Sequence, residues 1–161
     1  MRNFILLFTA ALFVGCASPG VKVTTDDEKS QAIKAAYDGY LVNDFTASNE
    51  LYSDETAIYI NSVETISNEE NIAAFSSHHD FYTDISMSRT YIQTSAYDND
   101  LGTWTHAWFV WKGTGKASGN TFEVPCHVAY QWGDDGKVAQ TWFFSDQSNH
   151  LKELAAAGVE L

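Results

Sequence analysis

The sequence predicts an α+β domain in which helices pack on one face of a curled antiparallel meander. Two observations carry this class. The first half holds two helix-start signatures of the capping-box type, and the second half holds four β-rich segments separated by turn-forming clusters. Helices first and consecutive strands afterwards give a layer of helices on a sheet. That sheet has to curl, because long aromatic strands lying flat would leave one apolar face open to water.

Each element has its own signal. Thr25 followed by Glu28 matches a capping box, and Ile33, Tyr37, Tyr40, Leu41 and Phe45 recur as one apolar stripe. The spacing predicts a helix of about five turns ending between Asn43 and Thr46. Residues 56–61 read as a short strand around Tyr59, and Ser67 with Glu70 opens a second helix through about Asp80. Strands follow at residues 86–97, 102–112, 121–132 and 138–145, separated by Asp98-Asn99-Asp100, residues 113–120 and Gly133-Asp134-Asp135-Gly136. A closing helix over residues 147–156 stops at Gly158, with Asp146 as its cap.

The last hairpin permits a register. A three-residue loop at Asp134-Asp135-Gly136, with glycine in the left-handed position, pairs Gly133 with Lys137. Counting outward puts His127 opposite Phe143 and Ala129 opposite Thr141, while the other face joins Val128 to Trp142 and Cys126 to Phe144. A loop of different length would exchange the faces.

Composition bounds the function. The chain has 161 residues, 45% of them apolar, with 10 Gly and 2 Pro, which suits one globular domain and excludes collagen-like or disordered classes. Twenty-one Asp and Glu against nine Lys and Arg give a net charge of −12, so a basic face for nucleic acid is excluded.

Met1, Arg2 and Asn3 precede an apolar run over residues 4–14, which has the length of an export signal and is short for a membrane span. The run ends in Phe13-Val14-Gly15-Cys16, which resembles a bacterial lipobox with Phe13 where Leu is more usual. The resemblance implies cleavage before Cys16 and lipidation of its thiol. The chain then divides into a signal peptide (1–15), a lipidated Cys16 with a tether (16–25) and a folded domain (26–161). Ala17 and Ser18 stand where an inner-membrane retention Asp would be, which by the same resemblance implies an outer-membrane anchor facing the periplasm. With Cys16 lipidated, Cys126 is the only other thiol, so no intramolecular disulfide forms; Val124 and Val128 mark it as a buried small hydrophobe.

Helix, short strand, helix and four long strands, with Asp134-Asp135-Gly136-Lys137-Val138 leading into Trp142-Phe143-Phe144-Ser145-Asp146, resemble the nuclear transport factor 2-like superfamily and its SnoaL-like branch. The resemblance covers about residues 26–156. It implies a cone-like, strongly curved antiparallel sheet wrapped around N-terminal helices and an internal pocket, on a fold that serves cyclases, epoxide hydrolases, dehydratases, isomerases and noncatalytic proteins. Fold therefore does not decide function.

The epoxide-hydrolase pattern has an Asp three residues before the final Asp of this ending, where this chain has Phe143; residues 102–112 also lack Asp, Glu and Arg. The dehydratase pattern is matched in type by Tyr37-Asp38, Tyr59 and His127, with His106 as a second histidine. His127 and His106 are thus the candidate bases, and Tyr37 and Asp38 their candidate partners. Tyr40, Tyr59, Trp108 and Phe143 are expected in the pocket lining. Packing competes with each of these roles.

His78-His79-Asp80 is expected to be a polar helix end, because adjacent helical residues point about 100° apart and cannot all ligate one ion. His150 is expected on an exposed helix. Neither metal nor cofactor is expected. The expected partner is a small hydrophobic or aromatic molecule, with lyase or isomerase chemistry as an alternative. Five Trp among the 14% aromatic residues also suit an outer sheet face used for a homodimer or an envelope partner.

Overall fold

The computed structural model describes residues 20–160, so the export segment, Cys16 and residues 17–19 lie outside the described residues. Ten elements follow in order: β1 (Val21–Thr24), α1 (Glu28–Tyr40), α2 (Thr46–Leu51), β2 (Ala57–Ile60), α3 (Asn68–Phe81), β3 (Tyr82–Tyr97), β4 (Thr103–Gly115), β5 (Thr121–Trp132), β6 (Val138–Ser145) and α4 (Ser148–Ala156). The strands form one sheet in the order β1-β3-β4-β5-β6-β2. It is antiparallel except for the pairing of β2 with β6, which is parallel. β1 and α2 are additions to the sequence reading. Val21–Thr24, expected in the tether, pairs with Tyr97 to Thr94 as an edge strand.

α1 starts at Asp27 rather than Thr25. The Asp27 carboxylate accepts the backbone N–H groups of Lys29 at 3.0 Å and Ser30 at 3.1 Å, an ionised acceptor for two of the helix's orphan donors. The helix ends at Tyr40, and the chain turns through Asn43 at φ 59° into α2. Phe45 therefore leaves the helix, yet its ring still packs edge-on against Tyr40. α3 carries the expected capping box between Ser67 and Glu70.

Curvature comes from β3. Its register with β4 breaks between Thr83 and Ser86 and again between Ser88 and Tyr91, and Asp84 and Arg89 each adopt φ 53° at these breaks. Bulges of this kind bend a strand and increase its twist. The concave side receives α1 and a core of Ile33, Ala107, Phe109, Val128, Tyr130, Trp132 and Val138.

The last hairpin has the expected turn, with Gly133 N–H donating to Lys137 O at 2.8 Å and Gly136 at φ 79°. A bulge then intervenes. Trp132 pairs with Val138 but Gln131 pairs with Gln140, leaving Ala139 as an extra residue on β6. Every later pair moves by one: His127 faces Phe144, and Val128 faces Phe143. The register deduced from the turn alone is therefore corrected, because a one-residue slip exchanges faces.

A buried hydroxyl relay ties α1 to the sheet. The Trp132 indole donates to Thr105 Oγ1 at 2.8 Å, Thr105 lies 2.8 Å from Thr94 Oγ1, Thr94 lies 2.9 Å from Ser30 Oγ, and Ser30 donates to Asp27 at 2.8 Å. An indole N–H only donates and a carboxylate only accepts, so every hydroxyl in the relay points the same way.

Candidate functional site: an aromatic cavity inside the curled sheet

The bend of β3 and the helices above the concave face form a cavity of about 330 Å³ that opens to solvent. α1 supplies Tyr37 and Tyr40, α3 supplies Phe75 and His78, and β3 and β4 supply Tyr82, Met87, Phe109 and Trp111. β5 and β6 add Val128, Tyr130, Thr141 and Phe143, and His150 of α4 stands at the same space. The wall is largely apolar, and two hydrogen-bonded groups of polar side chains stand out among those that line it.

The first is a hydroxyl cluster. Tyr37 Oη lies 3.0 Å from Tyr130 Oη, and Thr141 Oγ1 donates to Tyr52 Oη at 3.4 Å. Tyr130 and Thr141 are cross-strand partners on the concave face, so the two bonds lie side by side. Burial pushes all three phenols up, Tyr52 to about 12 and Tyr37 and Tyr130 higher, which keeps them protonated at neutral pH.

The second group holds histidines. The Trp111 indole donates to Tyr40 Oη at 2.8 Å, and Tyr40 Oη is 2.9 Å from His78 Nδ1. Tyr40 Oη accepts from Trp111 and keeps one proton of its own, which, directed at His78 Nδ1, matches the neutral ring tautomer with its hydrogen on Nε2. Burial, with His150 and His79 nearby, pulls the His78 imidazole down to about 4. His150 Nδ1 lies 3.0 Å from Tyr82 Oη, and the His78 and His150 rings are 5.1 Å apart. Burial likewise lowers His150 and pushes Tyr82 up to about 12. Cys126, also in the wall, is a buried thiol raised to about 11 by burial.

The expected site residues separate into two groups. Tyr37, Tyr40 and Phe143 reach the cavity. His106, His127, Trp108 and Tyr59 do not: they stand on the convex face, where β4 and β5 point alternate residues outward. There Tyr59 stacks on Trp142 at 3.9 Å between ring centres, Trp108 on His127 at 4.9 Å, and His106 Nδ1 lies 3.1 Å from His127 Nε2. Burial lowers both imidazoles, His106 further through its neighbour. The Ala139 bulge separates Phe143 from His127 by moving it to the side of Val128, while the unbroken register of β4 with β5 keeps His106 and Trp108 on the face of His127. Asp38 is also corrected. It points to solvent and pairs with Lys34 at 2.6 Å, one helical turn away.

His78 and His150, read from sequence as a polar helix end and an exposed residue, are cavity residues. A signal for His78 existed: Asn71, Ala74, Phe75 and His78 follow the helical repeat, and all four line the cavity. Asp146 accepts the Ser148 N–H at 2.9 Å, one residue outside the position of the α4 N-cap, which is Gln147. Among the described residues no group of three or more His, Cys, Asp or Glu side chains is placed to hold a metal ion, and no helix is long and apolar enough to cross a membrane.

No family model and no curated protein matches the chain. Solved structures do. A polyketide cyclase candidate from Xanthomonas campestris pv. campestris is 15% identical, with a TM-score of 0.60 over 78% of this chain and 95% of its own. A hydroxylase candidate from Streptomyces galilaeus is 12% identical, with a TM-score of 0.63 over 80% and 85%. A protein of ketosteroid isomerase-like fold from Catenulispora acidiphila, solved in complex with trimethylamine, is 12% identical, with a TM-score of 0.53 over 81% and 94%. The chain has the nuclear transport factor 2-like, SnoaL-like fold. At these identities the likeness describes architecture, and the chemistry has to come from the cavity's own residues.

Proposed function

We propose that the protein binds a small hydrophobic or aromatic molecule in the cavity, without catalysis as a requirement. The observation that carries this reading is the aromatic-walled, partly open cavity of about 330 Å³, at the small end of the ligand-pocket range, with a few convergent polar groups. The domain would be held in the bacterial cell envelope by a lipid on Cys16, on the outer membrane and facing the periplasm. Native mass spectrometry of the protein purified from its own host tests the pocket: a small molecule retained at one per chain is expected, and an empty chain after gentle purification counts against tight binding. Metabolic labelling with an alkynyl fatty acid tests the anchor; label lost in Cys16→Ala is expected, and label retained refutes it.

A lyase or isomerase reading is favoured by the two Tyr–His pairs, Tyr40 with His78 and Tyr82 with His150. In this reading acid–base work belongs to these residues rather than to His106 and His127. Incubating protein and retained molecule in D₂O separates the readings: catalysed exchange or loss of water changes the molecule's mass, whereas simple binding does not.

The convex face supports a homodimer. Tyr91, Trp108 and Phe144 expose 51%, 38% and 47% of their surface beside stacked His127 and Trp142. Trp108→Glu is expected to abolish dimerisation in analytical ultracentrifugation; a wild-type protein that stays monomeric at high concentration removes the proposal.

A further inference from the structure

We infer that the convex face carries a transition-metal site, in which His106 and His127 of two copies hold one Zn²⁺ ion and bridge the dimer. The inference rests on the homodimer reading and adds an ion at its centre.

Spacing is the first argument. His106 Nδ1 and His127 Nε2 are 3.1 Å apart. Two nitrogens bound to one zinc ion at about 2.0–2.1 Å and a tetrahedral angle stand roughly 3.3–3.4 Å from each other, so the pair already has nearly the bite of a metal chelate. Stacking holds both rings in place: His127 lies on Trp108 at 4.9 Å between centres, and His106 lies between Trp104 at 6.3 Å and Trp108 at 5.5 Å. Side chains already held lose little further freedom when an ion binds. Burial keeps both imidazoles below their ordinary value, so at neutral pH each is uncharged and has a lone pair to give. One of the two facing nitrogens carries a hydrogen towards the other. On binding, that hydrogen moves to the second nitrogen of the same ring and the ion takes its place, with no proton released.

Placement is the second argument. A structural zinc site takes four protein ligands, and among the described residues no third His, Cys, Asp or Glu joins the pair within one chain. A second copy supplies the other two. His106 is on β4 and His127 on β5, the two middle strands of the six. Residues at the centre of a two-fold interface meet their own copies, and two convex faces touch first at their middle, so the histidine pairs of two chains converge on the axis. Charge permits the approach. Tyr91, Gln93, Trp104, Trp108, Trp142 and Phe144 surround the pair and none is charged, in a chain whose net charge is −12. A dication between two such chains offsets part of their mutual repulsion.

The test uses the untagged protein, stripped with EDTA and titrated with zinc chloride. Isothermal titration is expected to give one Zn²⁺ per two chains. Analytical ultracentrifugation is expected to give a dimer Kd at least about ten-fold lower with Zn²⁺ than with EDTA, because an ion bound only by the dimer shifts the equilibrium by mass action. Co²⁺ in place of Zn²⁺ should show the intense visible absorption of tetrahedral cobalt. His106→Ala and His127→Ala, checked for folding by circular dichroism, should each lose the zinc effect and the cobalt spectrum, whereas His79→Ala should keep both. A dimer equally strong with zinc and with EDTA, or one that takes up one ion per chain, overturns the bridge and leaves the dimer reading standing. A chain that stays monomeric in both conditions overturns both.

Discussion

Replacing Thr105 by Val should destabilise the protein by about 1–2 kcal/mol without altering its shape. The two side chains are nearly isosteric and both β-branched, so β4 keeps its strand preference. Thr105 is fully buried, accepts from the Trp132 indole at 2.8 Å and donates to Thr94 at 2.8 Å. Valine removes both bonds. Thr94 can still donate to Ser30, so its loss is one incoming bond, but the Trp132 N–H is left buried with no acceptor, which costs about 1–3 kcal/mol. The added methyl group returns roughly 0.8 kcal/mol through burial. In urea, with a slope of about 1–3 kcal/mol/M, the unfolding midpoint should fall by roughly 0.5–1 M at constant slope.

A double-mutant cycle isolates the cause. In a Trp132→Phe background the orphan donor is gone, so adding Thr105→Val should cost markedly less, with a coupling of about 1 kcal/mol. A midpoint unchanged in Thr105→Val, or costs that simply add in the double variant, would refute the directed relay.

The remaining predictions concern charge and the closing helix. Burial raises the Asp27 carboxyl, but hydrogen bonds from Thr24 and Ser30 outweigh it and hold the group well below the usual range. Its stabilisation is present above the unfolded carboxylate pKa of about 3.9 and disappears as pH falls through the lower folded value; Asp27→Ala should cost about 1 kcal/mol at pH 7, read by urea unfolding, with less left to lose on acidification. His78 works over a higher window. With a folded pKa near 4 against 6.5 unfolded, it lowers stability as pH drops from 6.5 towards 4, and His78→Asn should flatten that part of the stability profile. Nitrogen-15 spectra of the ring should show the Nε2–H tautomer at pH 7. The fully buried Glu153 of α4 accepts from Ala117 N–H and Ser118 Oγ in the loop after β4, and a Cβ at Gly115 would collide with its carboxylate. Glu153→Gln and Gly115→Ala should both speed hydrogen exchange in α4 while leaving β5 protected; unchanged α4 rates would show that this anchor is not what holds the helix.

Long elements were legible in the sequence for a physical reason. α3 and the hairpin turn depend on local chemistry, Ser67 with Glu70 in one case and Gly136 at positive φ in the other, and both occur as expected. Faces depend on register, and register is a non-local property. Ala139 sits in an ordinary alternating strand with nothing in its type to announce a bulge, yet that one residue decides whether Phe143 shares a face with His127 or with Val128. β1 escaped because four residues with Val21 and Val23 half-exposed carry little burial signal and gain their pairing from β3.

The same distinction explains which histidines were misplaced. His106 has Trp104 and Trp108 two residues away and His127 has apolar Cys126 and Val128 beside it, which suggests an interior, but on a strand the neighbours at one and two residues lie on different faces. The inward positions of β4 are Thr105, Ala107, Phe109 and Trp111, and the outward ones are Trp104, His106 and Trp108, so both sides of one strand are aromatic. Alternation of apolar with polar residues cannot choose a face when neither is polar. On α3 the repeat is 3.6, so stepping forward one turn from Asn71, Ala74 and Phe75 arrives at His78, although the helix as a whole has almost no apolar asymmetry to single that face out. In a sheet clad on both sides with aromatic rings, the helical repeat tells which α3 residues share a side, and only the packing of the helices on the sheet decides which side holds the cavity.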